Sequence, residues 1–159
     1  MKTLIVYATK YGATEQCAQK LESLLGGEVT RVKMGGAVDA VDLSPFDAVV
    51  VGGGIYAGKI RKSARQFCEK NLEELKSKKI GLFVSALTPP DQAADIIEQN
   101  FPAELVRMAQ AKGGFGGAVS YEKMNFFERF VMKRITKRSE SYSTISDEAI
   151  RRFAESMNG

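Results

Sequence analysis

Thr3-Leu4-Ile5-Val6-Tyr7-Ala8-Thr9-Lys10-Tyr11-Gly12-Ala13-Thr14 opens the chain with a strand-like apolar run, a hydroxyl-bearing turn and the start of a helix. Thr3 to Ala8 predicts a first strand. From Ala13 to Leu25 the residues Cys17, Leu21, Leu24 and Leu25 fall on one helical face, and Gly26-Gly27 supplies a C-terminal stop. A strand followed at once by an amphipathic helix is half of a βαβ unit, and the same alternation continues down the chain.

Glu28 to Lys33 reads as strand two, followed by an irregular stretch through Pro45. Asp47 to Gly52 reads as strand three, whose unbroken apolar centre suits a central strand buried on both faces. Ala64, Phe67, Cys68, Leu72 and Leu75 recur at helical spacing between Ile60 and Leu75. Lys79 to Leu87 predicts strand four, and Asp91 caps a helix reaching Asn100, with a short helical turn from Pro102. The glycine-rich segment Gly113 to Ser120 predicts a fifth strand whose backbone is approached closely. Asn125 to Arg138 reads as an amphipathic helix, Ser139 to Thr144 as a polar loop, and Ser146-Asp147-Glu148 as the cap of a last helix ending near Met157. Right-handed crossovers wind five such strands into a three-layer α/β sandwich around a parallel sheet.

The 159 residues predict one domain, 1–159, and the balance of 44% hydrophobic to 26% charged residues is that of a globular chain. There is no histidine, which excludes Ser-His-Asp and Cys-His catalysis and any His-containing zinc site. Two cysteines cannot build a tetrathiolate centre, so no metal is expected. Cys17 and Cys68 read either as buried core thiols or as redox-active ones. No window reaches the roughly 18 apolar residues needed to span a bilayer, and the N-terminus lacks signal-peptide features, so a cytoplasmic location is expected. The net charge of +4 favours an anionic partner. No basic-aromatic recognition motif accompanies it, and no nucleic acid is expected.

In a sheet of this kind ligands bind beyond the C-terminal strand ends at the topological switch point, so the loops after strands one, three and four are the candidates. Thr9-Lys10-Tyr11-Gly12-Ala13-Thr14 offers two hydroxyls, a glycine bend and the positive end of a helix, which together suit a phosphate. An ordinary capped helix start would look much the same. Gly54-Ile55-Tyr56-Ala57-Gly58, preceded by Gly52-Gly53, suits either a flat ligand lying against bare backbone or a flexible turn. Ser85-Ala86-Leu87-Thr88 supplies small and hydroxylated residues stiffened by Pro89-Pro90.

Thr9 to Thr14 resembles the hydroxyl-rich FMN phosphate loop of the flavodoxin family, of the form [ST]-x-[ST]-G-x-[ST], and departs from it at Tyr11. The loop around Ile55-Tyr56, the Gly116-Gly117-Ala118-Val119 segment and the helix from Asn125-Phe126-Phe127-Glu128-Arg129-Phe130 are similar to the branch of that family related to menaquinone-dependent protoporphyrinogen dehydrogenase. The resemblance covers essentially the whole chain. It implies a flavodoxin-like doubly wound sandwich of strand order 2-1-3-4-5, an order for which flavodoxin is itself a standing example. It implies FMN, with Thr9 to Thr14 at the phosphate and with Gly54 to Gly58 and Ser85 to Thr88 around the isoalloxazine. Gly117 to Tyr121 is a further lining segment. It also implies oxidation of a porphyrinogen, a step of haem biosynthesis, with electrons passed to a quinone or another acceptor; the alternative is an electron carrier that docks to a redox-protein partner. No catalytic base is identified.

Lys59, Arg61, Lys62 and Arg65 follow the ring-binding loop, and cations there should raise the potential above that of the usual acidic carriers. Lys59 and Arg61 also suit the propionates of a porphyrinogen. Phe127, Phe130, Val131 and Ile135 form a stripe on the helix 125–138, with Lys133, Arg134, Lys137 and Arg138 at its end. Either the stripe covers the sheet, or, as the resemblance implies, the helix makes peripheral contact with an anionic membrane face where a quinone is reached.

Overall fold

The computed structural model describes residues 1–10, 12–34, 41–56, 58–87, 90–119, 124–136 and 141–159. The first strand, β1 (Lys2–Ala8), is parallel to β2 (Glu28–Lys33) on one side and to β3 (Ala48–Tyr56) on the other. Beyond β3 lie β5 (Lys79–Ser85) and β6 (Ala111–Gly114), also parallel, while the short β4 (Lys59–Ile60) folds back antiparallel on β3. The order is β2-β1-β3-β5-β6, so the five parallel strands taken in chain order run 2-1-3-4-5 as expected.

Both faces of the sheet are covered, which is why its central strands can be apolar on every residue. On one face α1 (Ala13–Leu24) and α7 (Asp147–Asn158) bury Cys17, Leu21, Ile150, Phe153 and Met157 against Ile5, Val50 and Phe83. On the other, α2 (Lys62–Lys70), the one-turn α3 (Leu72–Leu75), α4 (Ala93–Asn100) and α5 (Ala103–Met108) bury Phe67, Cys68, Leu75, Ile97 and Leu105 against Leu4, Val49 and Leu82. Asn71 breaks the helix expected over 60–75: its side-chain amide donates to Phe67 O at 2.9 Å and ends α2 there. Ser146 caps α7 as expected, its hydroxyl accepting from Ala149 N at 3.1 Å.

Two of the expected strands are corrected as well. Strand three does not stop at Gly52 but runs on to Tyr56, so much of the expected loop is strand. Gly52 and Gly53 are explained by packing: a Cβ on Gly52 would lie 2.0 Å from Phe83 Cζ, and one on Gly53 2.5 Å from Ile60 Cγ1. The fifth parallel strand is Ala111–Gly114 rather than 113–120, because Phe115 O and Gly117 O then accept from Ser146 N and Thr144 N and draw the chain away. That detour makes a two-stranded antiparallel ribbon of β7 (Ala118–Val119) and β8 (Tyr142–Ser143), the latter within the expected polar loop.

The helix expected over 125–138 is α6 (Phe126–Thr136). Asn125 and Glu128 form a capping box, Glu128 N donating to Asn125 Oδ1 at 2.8 Å and Asn125 N to Glu128 Oε1 at 3.3 Å. None of its described side chains joins either core cluster, and Phe126, Phe127 and Phe130 are 85%, 72% and 53% exposed. The stripe therefore does not cover the sheet at Phe127 and Phe130; Lys137 and Arg138 lie outside the described residues. Among the described residues no helix is long and apolar enough to cross a membrane.

Candidate functional site

At the C-terminal end of β1 the chain turns through Thr9 and enters α1. Gly12 N donates to Thr9 Oγ1 at 3.0 Å, and Gly12 has φ 92°, a left-handed conformation in which a side chain would be strained. The first intrahelical bond runs from Gln16 N to Gly12 O, and no side chain caps the amides before it. Ala13 and Thr14, in the first turn of the helix and so at its positive end, line the cleft, and Thr14 is buried. Glu15 would oppose an anion there, but its carboxylate accepts from Tyr7 OH at 2.9 Å and pairs with Arg31 at 3.9 Å. Burial first, then the hydrogen bond to Glu15, raises the Tyr7 phenol above its ordinary pKa.

The cleft encloses about 610 Å³, its open mouth and the solvent in it included. Thr9, Lys10, Ala13 and Thr14 line one end. Gly54, Ile55 and Tyr56 line the side formed by β3, and Ser85, Ala86 and Leu87 the side formed by β5. Tyr56 and Leu87 are the large side chains left exposed here. Gly117 and Ala118 close the wall; a Cβ on Gly117 would lie 3.0 Å from the carbonyl carbon of Ala86, so the segment packs backbone to backbone.

Of the other residues singled out from sequence, Gly12 shapes the turn without lining the cleft, and Gly58 sits in the β3–β4 turn, where its carbonyl accepts from Asn100 Nδ2 at 3.1 Å. Tyr11, Ala57, Thr88 and Tyr121 lie outside the described residues.

Arg61, Met124 and Met132 also line the cleft; Arg61 is one of the cations expected beside the ring-binding loop, and the two methionines carry no signal in the sequence that places them here. Arg61 arrives because β4 folds back on β3, Arg61 N donating to Gly54 O at 3.3 Å. The hairpin is clamped by buried Asn100, whose Oδ1 accepts from Ile60 N at 2.9 Å. Of the four cations near this loop, Arg61 alone is among the residues lining the cleft. Met124 precedes α6 and Met132 lies on it, and both line one side of the site. Lys10 Nζ ties α6 down, 2.5 Å from Glu128 Oε2 and 5.4 Å from the Tyr56 ring centroid. The hydrogen bond from Lys10 holds the Glu128 carboxyl below the usual range.

Cys17 and Cys68 are both free and buried, and burial pushes each thiol up to about 12; at Cys17 a hydrogen bond with Ser85 partly offsets this. Such thiols are protonated core groups rather than nucleophiles.

The family described as Flavodoxin domain matches residues 4–146. Oxidised Flavodoxin 2 from Bacillus cereus superposes with TM-score 0.60 at 24% identity, over 99% of this chain and 97% of that one. A flavodoxin from the domain Archaea gives 0.57 at 14% identity over 100% of both chains. Rubredoxin oxygen:oxidoreductase from the anaerobe Desulfovibrio gigas gives 0.52 at 15% identity, over 98% of this chain but 36% of that one. At these identities the structural likeness concerns the fold. No curated protein matches the chain.

Proposed function

Because the chain belongs to the flavodoxin-domain family, we propose that it is an FMN-dependent oxidoreductase that takes electrons from a porphyrinogen and passes them to a quinone. The residues present fit the cofactor. The uncapped amides at the start of α1 and the hydroxyls of Thr9 and Thr14 would hold its phosphate. Thr9 Oγ1 accepts from Gly12 and keeps its own proton to donate. Ile55, Tyr56, Leu87, Met124 and Met132 supply apolar walls for a flat ring. When bound, FMN supplies the electron and hydride chemistry.

The chain's own side chains set the conditions for that chemistry. Arg61 places a positive charge in the cleft, which favours uptake of electrons and raises the potential. Lys10, held by Glu128, joins the phosphate end of the cleft to α6, so cofactor binding and the placing of that helix are linked.

The exposed face of α6 is the observation that carries the quinone reading. Phe126, Phe127 and Phe130 stand clear of the core beside cationic Lys133 and Arg134, on a helix that also contributes to the wall of the cleft. An aromatic and basic face of this kind suits the headgroup region of an anionic bilayer, where an apolar acceptor is dissolved. The half-exposed Tyr56 at the mouth favours a second reading, an electron carrier whose cleft edge is met by a redox protein. Anaerobic mixing of the FMN-loaded protein with protoporphyrinogen and a quinone in anionic vesicles separates them. Turnover that needs both substrates supports the first reading, and reduction of a redox protein without porphyrinogen turnover overturns it in favour of the second.

A further inference from the structure

Beside the cleft, on the side of β2 and α2, a second recess of about 920 Å³, its open mouth included, is lined by Lys33, Arg61, Lys62, Ser63 and Gln66 over a floor that includes Ala8 and Met34. Its cations come from separate elements: Lys33 ends β2, Arg61 follows β4, and Lys62 begins α2. Among the described residues none of the three has a carboxylate partner. Three positive charges around a concavity repel one another, and an anion entering it relieves that repulsion and gains three attractions at once. The start of α2 adds to the field, since Arg61 at its N-cap makes no side-chain cap bond, and Ser63 adds a hydroxyl donor.

Thr9 and Arg61 line both this recess and the cleft, so the two share a wall. We propose that the recess is an anion subsite, which takes a carboxylate or phosphate group of the small molecule that exchanges electrons in the neighbouring cleft. The proposal rests on the flavin reading of that cleft and adds to it the place where an oxyanion of the substrate is held. Concavity favours a small ligand's substituent over the flat acidic face of a protein. Of the residues assigned to the phosphate cradle the recess shares Thr9 and none from Gly12 to Gln16.

The test titrates citrate, and separately inorganic phosphate, into the FMN-loaded protein, following the backbone amide signals of Arg61 to Gln66 by NMR. Saturable shifts are expected, with affinity falling about tenfold for each lysine replaced in Lys33→Glu and Lys62→Glu, because each removes one charge-assisted contact. The milder Lys33→Gln/Lys62→Gln pair keeps the test valid where charge reversal disturbs folding, and FMN affinity should be unchanged in all of these variants. Absence of saturable shifts, or equal citrate affinity in the variants, overturns the proposal. Release of FMN by citrate overturns it too, assigning the recess to the cofactor's own phosphate, and binding of polyglutamate without citrate overturns it in favour of an acidic protein. Citrate shifts in a chain that takes up no FMN would refute the flavin reading while leaving the recess an anion site.

Discussion

Gly52→Ala should destabilise the protein far more than its chemistry suggests. The new Cβ would lie 2.0, 2.2 and 2.4 Å from three atoms of the Phe83 ring. Ordinary carbon–carbon contact is about 3.5 Å, so the ring must retreat by about 1.5 Å. It has nowhere to go: Phe83 is fully buried, stacked on Phe115 at 4.6 Å and set edge-on to Phe153 at 6.2 Å. Overpacking of a rigid core costs about 1–3 kcal/mol, and a clash with three ring atoms belongs at the top of that range. At about 2–4 °C per kcal/mol for a chain of this size, the melting temperature should fall by about 6–12 °C. Circular dichroism melts and urea titrations measure this directly. Adding Phe83→Leu, which shortens the obstructing ring, should recover at least about 1 kcal/mol relative to the sum of the single changes. Gly58→Ala is the control: φ is +80° and nothing lies within 4 Å of the new Cβ, so only the left-handed strain of about 1–2 kcal/mol applies. A Gly52→Ala cost below about 1 kcal/mol, or strict additivity with Phe83→Leu, would refute the assignment of Gly52 to packing.

Thr14→Val keeps the shape of the buried side chain and removes its hydroxyl; it should weaken FMN by about tenfold to a hundredfold while leaving riboflavin, which lacks the phosphate, within about twofold by fluorescence titration. The two thiols hold folded-state values near 12 against an ordinary 9.0, so the protonated form is favoured by folding. Their contribution is complete below pH 9 and is lost as the pH rises toward 12, at up to about 1.4 kcal/mol per pH unit for each thiol. Urea titrations at pH 8 and 10.5 should show that loss, and a Cys17→Ala/Cys68→Ala protein should show a shallower one. Replacing Phe126, Phe127 and Phe130 by serine should abolish sedimentation with anionic vesicles at low salt and leave the melting temperature within about 2 °C, since exposed side chains contribute little to stability. Failure of the unaltered protein to sediment would remove the membrane contact.

The parallel sheet was legible in the sequence because its first four strands carry local signals: β-branched runs such as Val49-Val50-Val51, closed by helices with apolar stripes and glycine stops. The turn that brings Thr9, Lys10, Ala13 and Thr14 to the cleft was equally local, lying within six consecutive residues. What escaped depends on partners far along the chain. Gly52 and Gly53 looked like a ligand-facing loop because the atoms filling their missing side chains belong to Phe83 and Ile60. The fifth strand was misplaced because its end is decided by hydrogen bonds from Thr144 and Ser146. Arg61 reaches the cleft only through a hairpin that Asn100, some forty residues on, holds in place. In α6 the periodicity of Phe127, Phe130 and Val131 was real, but a stripe does not say whether core or solvent receives it.

The most direct test of the account is the affinity of the purified chain for FMN compared with riboflavin, by quenching of flavin fluorescence. A phosphate held by the uncapped start of α1 together with Thr9 and Thr14 predicts FMN bound at least about a hundredfold more tightly, as several charge-assisted hydrogen bonds require. Equal affinity for the two, or no binding of either, would contradict it.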